Sequence, residues 1–585
     1  MDFVQPKHRY RARLASAATK VNRIPEPAAS PCAAGGAIEG RPRSARVVTY
    51  VSPKELPGLP PLTRAYLAEF SRLAQFFPEP PQLERDWSAL ADRNRASRAD
   101  PARVAAILHS QNQQLGAPPE SLANCSRLGE SGALAVVTGQ QVGYLGGPAY
   151  TLYKGLTAIR LAEVISQRSG RPCVPIFYLV SEDHDLEEIR HSHFLDQRHQ
   201  LLTLSLDLGG PSRPANQVQL SEDSSEHHLL LRERLPATSH RDALLDRLAD
   251  CYRPGESLPR AFARWMLYLL GDMGLVLLDP ADPRLKQLAL RVFQQEIEED
   301  SPASRAVATA TEELSRLGFP PQIRLQRDRL NLFLLEGGRH ALHLRDGLVV
   351  AQGVGKRWRK DEFLAFALEH PERLSPNVVL RPLFQDTLVP TVAYVAGPAE
   401  IAYYAQLGPV YRTFGLSMPV IWPRTGFTLL TLPVARHLER LGMDPADLLR
   451  TGRIGRSLLA GDQELAEIRG QIAGMGEELS RAWGKLTEKA LRIDGSLEGY
   501  LRKSLGQLLH ILAEAEAKVA RARRRKDEEL REHLRMIENT LLPLGRPQER
   551  VLNPLSFLVR AGKELIQRLY GEVQLDSFDH TVLTA

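Results

Sequence analysis

The sequence predicts an α/β protein: a parallel-sheet core, broken by connecting insertions and followed by an α-helical coiled coil. Three observations carry this reading. Short apolar runs at 133–137, 173–180, 275–278, 377–380 and 419–422 alternate with helix-patterned stretches. Runs that are apolar throughout are what strands buried on both faces look like. Glycine, proline or acidic residues close most of these runs, marking where the chain leaves the sheet. Further on, Leu505, Leu508, Leu512, Ala515, Val519 and Ala522 recur at three- and four-residue intervals, the seam of a coiled coil. Together these features describe a Rossmann-like core with a helical appendage.

Composition narrows the function classes. The chain has 585 residues, too many for one simple core. Its 43% hydrophobic and 25% charged residues are those of a globular protein. No apolar run approaches the roughly 18–20 residues of a membrane span. The first 46 residues are basic and rich in Pro, Ala, Gly and Arg. They lack the apolar stretch of a secretory signal, and we read them as a disordered extension or as sequence upstream of the true start. Cys32, Cys125, Cys173 and Cys251 have neither metal-ligand nor disulfide-framework spacing, so a reducing, cytoplasmic setting is expected. The net charge of +6 sits largely in the N-terminal tail and in the run Lys518–Lys526. That run reads as a solvated helix face, and no nucleic-acid partner is expected.

Taken in order, the core's first part covers 47–204. Its first strand ends at Val136-Val137, and a helix starts near Pro148, where a missing N–H costs nothing, and runs to about Ser169. The second strand is Cys173–Val180. Residues 205–258 are polar and His-rich and form a first insertion. The core resumes over 259–317 with the third strand at Leu275–Leu278. Residues 318–370, with a hairpin-like pair Leu330–Leu335 and His340–Leu344, form a second insertion. The core's third part, 371–454, holds strands at Asn377–Leu380 and Pro419–Trp422. Residues 455–541 form two antiparallel helices broken at Asp494-Gly495, and 542–585 packs back on the core.

Ligands of open α/β sheets bind beyond the carboxyl ends of the strands, and three segments fall there. In TGQQVGYLGGPAYTLYK (138–154), Gly146 and Gly147 permit close approach of a ligand to the backbone. Gln140 and Gln141 offer amides, the helix start favours an anion, and Tyr150 and Lys154 share a helix face. The plainer reading is a turn and a surface lysine. In SEDHD (181–185), Ser181 fits a helix N-cap, while His184 between Asp183 and Asp185 suits general-base work. His191 and His193 follow without standard ligand spacing, so no metal site is expected. In the third, Arg381, Gln385 and Asp386 follow an apolar run, and a Gly-Pro helix start carries Glu400 and Tyr403. Arg381 suits a carboxylate or phosphate, against the plainer reading of a structural ion pair. Their convergence on one sheet edge is what an active site requires.

These same stretches resemble the BshC family, the cysteine-adding enzymes of bacillithiol biosynthesis. The resemblance rests on residues 138–154, Ile176–Glu188, Ser375–Pro382 and Gly397–Tyr403, supported by Gly274–Pro280, Pro423-Arg424 and Gln548–Asn553, and covers Val47 to the end. It implies a Rossmann-type core with a dimerising coiled coil, and a carbon–nitrogen ligase that joins the carboxyl of L-cysteine to the amine of glucosaminyl-malate. The family's serine after its Pro-Arg strand end is replaced here by Thr425-Gly426, so a hydroxyl contact there is expected to shift or vanish.

Amide formation from a carboxylate needs activation, so ATP or another adenine nucleotide is expected, although no P-loop names it. In this reading the Gly146-Gly147 turn meets an anionic group and Lys154 and Arg381 add positive charge. His184, oriented by Asp183 or Asp185, takes the amine's proton. Gln140 and Gln141 bind polar groups, and Tyr150, Gln385, Glu400 and Tyr403 line the wall. The alternatives from other classes are a dimeric scaffold that binds nucleotide or RNA, and a nucleotidyltransferase or ligase acting on another small acid.

Overall fold

The structure, a computed structural model, describes residues 48–207, 213–325, 328–454 and 462–585. The expected N-terminal extension, 1–46, lies outside the described residues, as do the first residues of the coiled-coil segment.

Among the described residues fifteen strands, in chain order, place the site: β1 (Val48–Val51), β2 (Leu134–Gln141), β3 (Cys173–Val180), β4 (His191–Leu195), β5 (Leu201–Ser205), β6 (Val276–Leu278), β7 (Arg329–Leu335), β8 (Arg339–Arg345), β9 (Leu348–Ala351), β10 (Arg357–Arg359), β11 (Leu374–Pro376), β12 (Thr391–Ala396), β13 (Val420–Pro423), β14 (Phe427–Leu430) and β15 (His580–Thr584). The core sheet runs β13-β12-β2-β3-β6, parallel throughout. Alternate side chains of these strands enter two different cores. Leu134, Val136, Phe177, Leu179 and Leu277 pack into one layer, and Ala135, Val137, Ile176, Val276 and Leu278 into the other. Period-two alternation between two apolar layers is why the runs carry no polar face. Each fully buried Val, Leu or Ile contributes about 1.5–3 kcal/mol relative to exposure.

Two of the expected strands change. The first does not stop at Val137: β2 continues through Gly139 to Gln141, with Gly139 opposite Tyr178 and Gln141 opposite Val180. Asn377–Leu380 is not a strand. Its Asn377 side chain accepts from the N–H groups of Val379 (2.9 Å) and Leu380 (3.3 Å), turning an apolar stretch, with Val378 exposed, into the entry of the helix Arg381–Leu388. The core strand in that region is β12, which pairs with both β2 and β13. Ser181 is not a helix N-cap either: its hydroxyl donates to Asp279 at 2.6 Å, and Asp185 precedes the short helix Leu186–Ile189.

The hairpin in 318–370 appears as β7 and β8, within an antiparallel sheet β10-β9-β8-β7-β11. An unanticipated hairpin, β4–β5, follows β3. The helices Asp462–Leu491 and Glu498–Leu541 run antiparallel: Trp483 Nε1 donates to the Leu501 carbonyl (3.0 Å) and Arg469 pairs with Glu516 (3.3 Å). Leu505, Leu508, Leu512 and Val519 of the expected seam are half-buried, but Ala515 and Ala522 are exposed. A strict heptad drifts off the face of a near-straight helix. The second helix ends in the core, with Ile537 and Leu541 packed beside Val434, Leu438 and Val582.

Candidate active site

All five strands of the parallel sheet end at one cavity of about 660 Å³, lined by Gly139, Gln140 and Gln141 at the end of β2, Glu182 and Asp183 after β3, Pro280 after β6, Gly397 and Glu400 after β12, and Arg424 after β13. Its size lies within the usual range for small-molecule sites. The sheet β7–β8–β11 supplies the facing wall through Arg329, Phe333, Arg339 and Pro376. Strand order reverses between β2 and β12, the topological switch point at which such sheets bind ligands.

Lys154 stands astride that point. The helix Tyr150–Ser169 buries it to 2% exposure. Its Nζ donates to the Gly139 carbonyl (2.8 Å) and Gln140 Oε1 (3.1 Å), and it forms an ion pair with Glu400. Burial lowers the lysine's pKa, and Glu400 opposes that fall. Burial also pushes the Glu400 carboxyl up, but Lys154 and the Gly397 N–H outweigh it and hold it below the ordinary range. Gln140 also donates to the Tyr150 hydroxyl (3.1 Å), which burial pushes up to about 12. Arg381, one turn past Asn377, is half-buried, and among the described residues no carboxylate pairs with its guanidinium. It donates to the Tyr403 hydroxyl (2.7 Å) and lies over the Tyr178 ring (5.8 Å).

The Asp183 carboxylate gathers donors from both walls: Gln141 Nε2 (2.9 Å), the His184 N–H (2.8 Å) and Arg339 Nη1 (3.1 Å). Burial works to raise its pKa, but these partners hold it well below the ordinary carboxylate range. The His184 ring leans on Phe333 (centroids 5.6 Å apart), with Nδ1 3.2 Å from Arg339 Nη1. Nδ1 also lies 3.6 Å from Asp183 Oδ1, so the ring nitrogen stands between a guanidinium and a carboxylate. His184 sits at the rim, 43% exposed, beside the cavity lining.

Several expected site residues lie elsewhere. Gly146 and Gly147 do not line the cavity. A Cβ on Gly146 would stand 2.7 Å from Trp265, and one on Gly143 would stand 2.9 Å from the Gly147 Cα. These glycines admit close packing of the chain on itself, not of a ligand. Asp185 is exposed and outside the lining. Gln385 is fully buried and donates to Asp386 (2.9 Å), which also accepts from the Tyr411 hydroxyl (2.6 Å); it braces the helix behind the site. Thr425 sends its hydroxyl to the Gln574 carbonyl (3.0 Å), away from the lining. Gly426 leaves room for His580 and Glu549.

Other residues belong to the site although sequence reasoning passed them over. Arg424, fixed by a two-pronged ion pair with Glu549, was within reach, because it follows an apolar run as the others do. Phe333, Arg339 and Arg550 carry no local signal; tertiary folding alone brings them in. The lining holds seven lysine and arginine side chains against four carboxylates, so the cavity is electrostatically suited to anions. Among the described residues no group of three or more His, Cys, Asp or Glu is placed to hold a metal ion, and no helix is long and apolar enough to cross a membrane.

With this geometry in hand, the relationships of the chain are decisive. A family model described as the bacillithiol biosynthesis BshC N-terminal Rossmann-like domain matches residues 48–425, and one described as the BshC C-terminal coiled-coil domain matches 427–585. The chain belongs to the BshC family. A Salinibacter ruber protein named "Putative cysteine ligase BshC" is 33% identical over 552 residues, spanning 92% of this chain and 98% of its own. Proteins of the same name from Symbiobacterium thermophilum (32% identical; 88% of this chain, 95% of theirs) and Solibacter usitatus (30%; 92% and 99%) agree. The two BshC domains meet at Gly426, directly after the β13 end that supplies Arg424, and the second returns Arg550 to the cavity made by the first and Glu549 to its Arg424.

Proposed function

We propose that this protein is a cytoplasmic cysteine ligase of bacillithiol biosynthesis that joins the carboxyl of L-cysteine to the amine of glucosaminyl-malate. The observation that carries the reading is the convergence of five strand ends, in a chain of this family, on one cation-rich cavity built around Lys154 and Arg381.

Arg381 offers a half-buried fork to a substrate carboxylate and has only phenolic company to displace. Lys154, held by Glu400 and the Gly139 carbonyl, fixes the end of β2 so that Gln140 and Gln141 present amides to polar substrate groups. His184 is placed to take the proton of the attacking amine. For that, Arg339 must turn wholly to Asp183, already 3.1 Å from it, and release Nδ1. A bound adenine nucleotide fits the excess of arginines in the lining and supplies the leaving group that a carboxylate oxygen lacks.

The test is thiol profiling by mass spectrometry in a strain lacking the gene. Loss of bacillithiol with accumulation of glucosaminyl-malate is the expected result. Unchanged bacillithiol would move the activity to another acid and amine.

A further inference from the structure

The cations of the cavity are not equally matched. On the parallel-sheet side, Lys154 meets Glu400, Arg424 meets Glu549 and Arg381 meets the Tyr403 hydroxyl. On the antiparallel wall, two guanidiniums share one aromatic ring: Arg339 lies 4.0 Å and Arg329 5.0 Å from the Phe333 centroid. Arg339 has one carboxylate, Asp183. Arg329 has none: among the described residues its side chain touches no acid, and its Nε is buried without an acceptor, as is Nε of Arg339. Burial lowers the pKa of both guanidiniums, and the Arg329 charge adds to the fall at Arg339. Holding like charges together, with buried N–H groups unsatisfied, opposes folding unless something else gains from it. The backbone, not the side chain, of Arg329 serves the fold: its carbonyl accepts from Ser301 (3.1 Å) and Ser304 (3.2 Å).

We infer that Arg329 and Arg339, gathered on Phe333, form a seat for a doubly charged oxyanion, either a phosphate group or the paired carboxylates of a dicarboxylic acid. Arg329 supplies a charge that no acid among the described residues pairs with, and Arg339, anchored by Asp183 and the Pro376 carbonyl (2.9 Å), the fixed edge. The seat rests on the reading of this cavity as the active site and assigns its facing wall a role separate from that of Arg381. A planar fork on an aromatic face is pre-organised for such a group, so lysine should replace it only in part.

Isothermal titration calorimetry of the full-length protein with L-malate and, separately, with ATP tests this, on wild type, Arg329→Ala, Arg329→Lys and Arg381→Ala. Arg329→Ala is expected to weaken one probe by about tenfold to a hundredfold with an unchanged melting temperature, and Arg329→Lys to recover part of the loss. A loss confined to malate assigns the seat to carboxylates; a loss confined to ATP assigns it to phosphate. If both affinities in Arg329→Ala stay within about twofold of wild type while Arg381→Ala loses binding, the seat is refuted and the cavity reading survives. If wild type binds neither probe, both fall.

Discussion

Lys154 is the residue on which fold and site depend together. Its ammonium is buried, and what keeps it charged is Glu400, the Gly139 carbonyl and the Gln140 amide. Removing one member of a buried pair leaves the other charge without compensation, at a cost of about 3–5 kcal/mol. Lys154→Met therefore strands the Glu400 carboxylate with only the Gly397 N–H and the Tyr394 hydroxyl as donors. Urea denaturation should report a loss of that size. The double variant Lys154→Met/Glu400→Gln should recover most of the stability, since neither member of the pair is left charged, yet form no bacillithiol. A double variant as unstable as the single would disprove the coupling. An active double variant would reduce the pair to scaffolding.

At the scale of elements, the strand ends were legible because their signal is local: an apolar run closed by Gly-Gln-Gln, Ser-Glu-Asp-His or Pro-Arg shows where a buried strand leaves the sheet. The misreadings have physical causes. Asn377–Leu380 is as apolar as a strand, but Val378 is exposed and the Asn377 side chain caps a turn in place of a ladder. The wall carrying Phe333 and Arg339 was recognisable as a hairpin, but where a hairpin docks is decided by contacts far apart in sequence. The Gly143–Gly147 turn was read as a ligand cradle because glycine signals close approach without naming what approaches; here it is Trp265 and the chain itself. Gly146, at φ +94°, should therefore tolerate alanine poorly for reasons of packing and backbone. We expect Gly146→Ala to lose about 2–4 kcal/mol in chemical denaturation while the folded fraction keeps its specific activity. Wild-type stability in that variant would overturn the packing account, and an inactive but stable protein would return the turn to the site.

The whole molecule joins a densely packed core to a helical hairpin whose packing is much thinner. The two helices, 30 and 44 residues long, meet along a half-buried stripe and leave Met475, Leu486, Tyr500 and Ile511 more than half exposed or nearly so, at 57%, 50%, 69% and 59%. A pair of helices projecting some 45 Å at about 1.5 Å per residue has too little apolar burial of its own to account for such side chains. Like the seam of any coiled coil, they call for a further helix to pack against. A second copy of the same hairpin is the partner we propose. Light scattering coupled to gel filtration should then give a mass near twice 65.2 kDa, and Met475→Glu/Ile511→Glu should halve it without lowering the melting temperature of the core. A monomeric wild type would refute the dimer, and a dimeric double variant would move the interface off this face. Because Arg550, which lines the cavity, and Glu549, which holds Arg424, follow the same long helix, a monomeric variant with impaired catalysis would tie assembly to the site through that helix. A fully active monomer would confine the hairpin to holding two independent sites together.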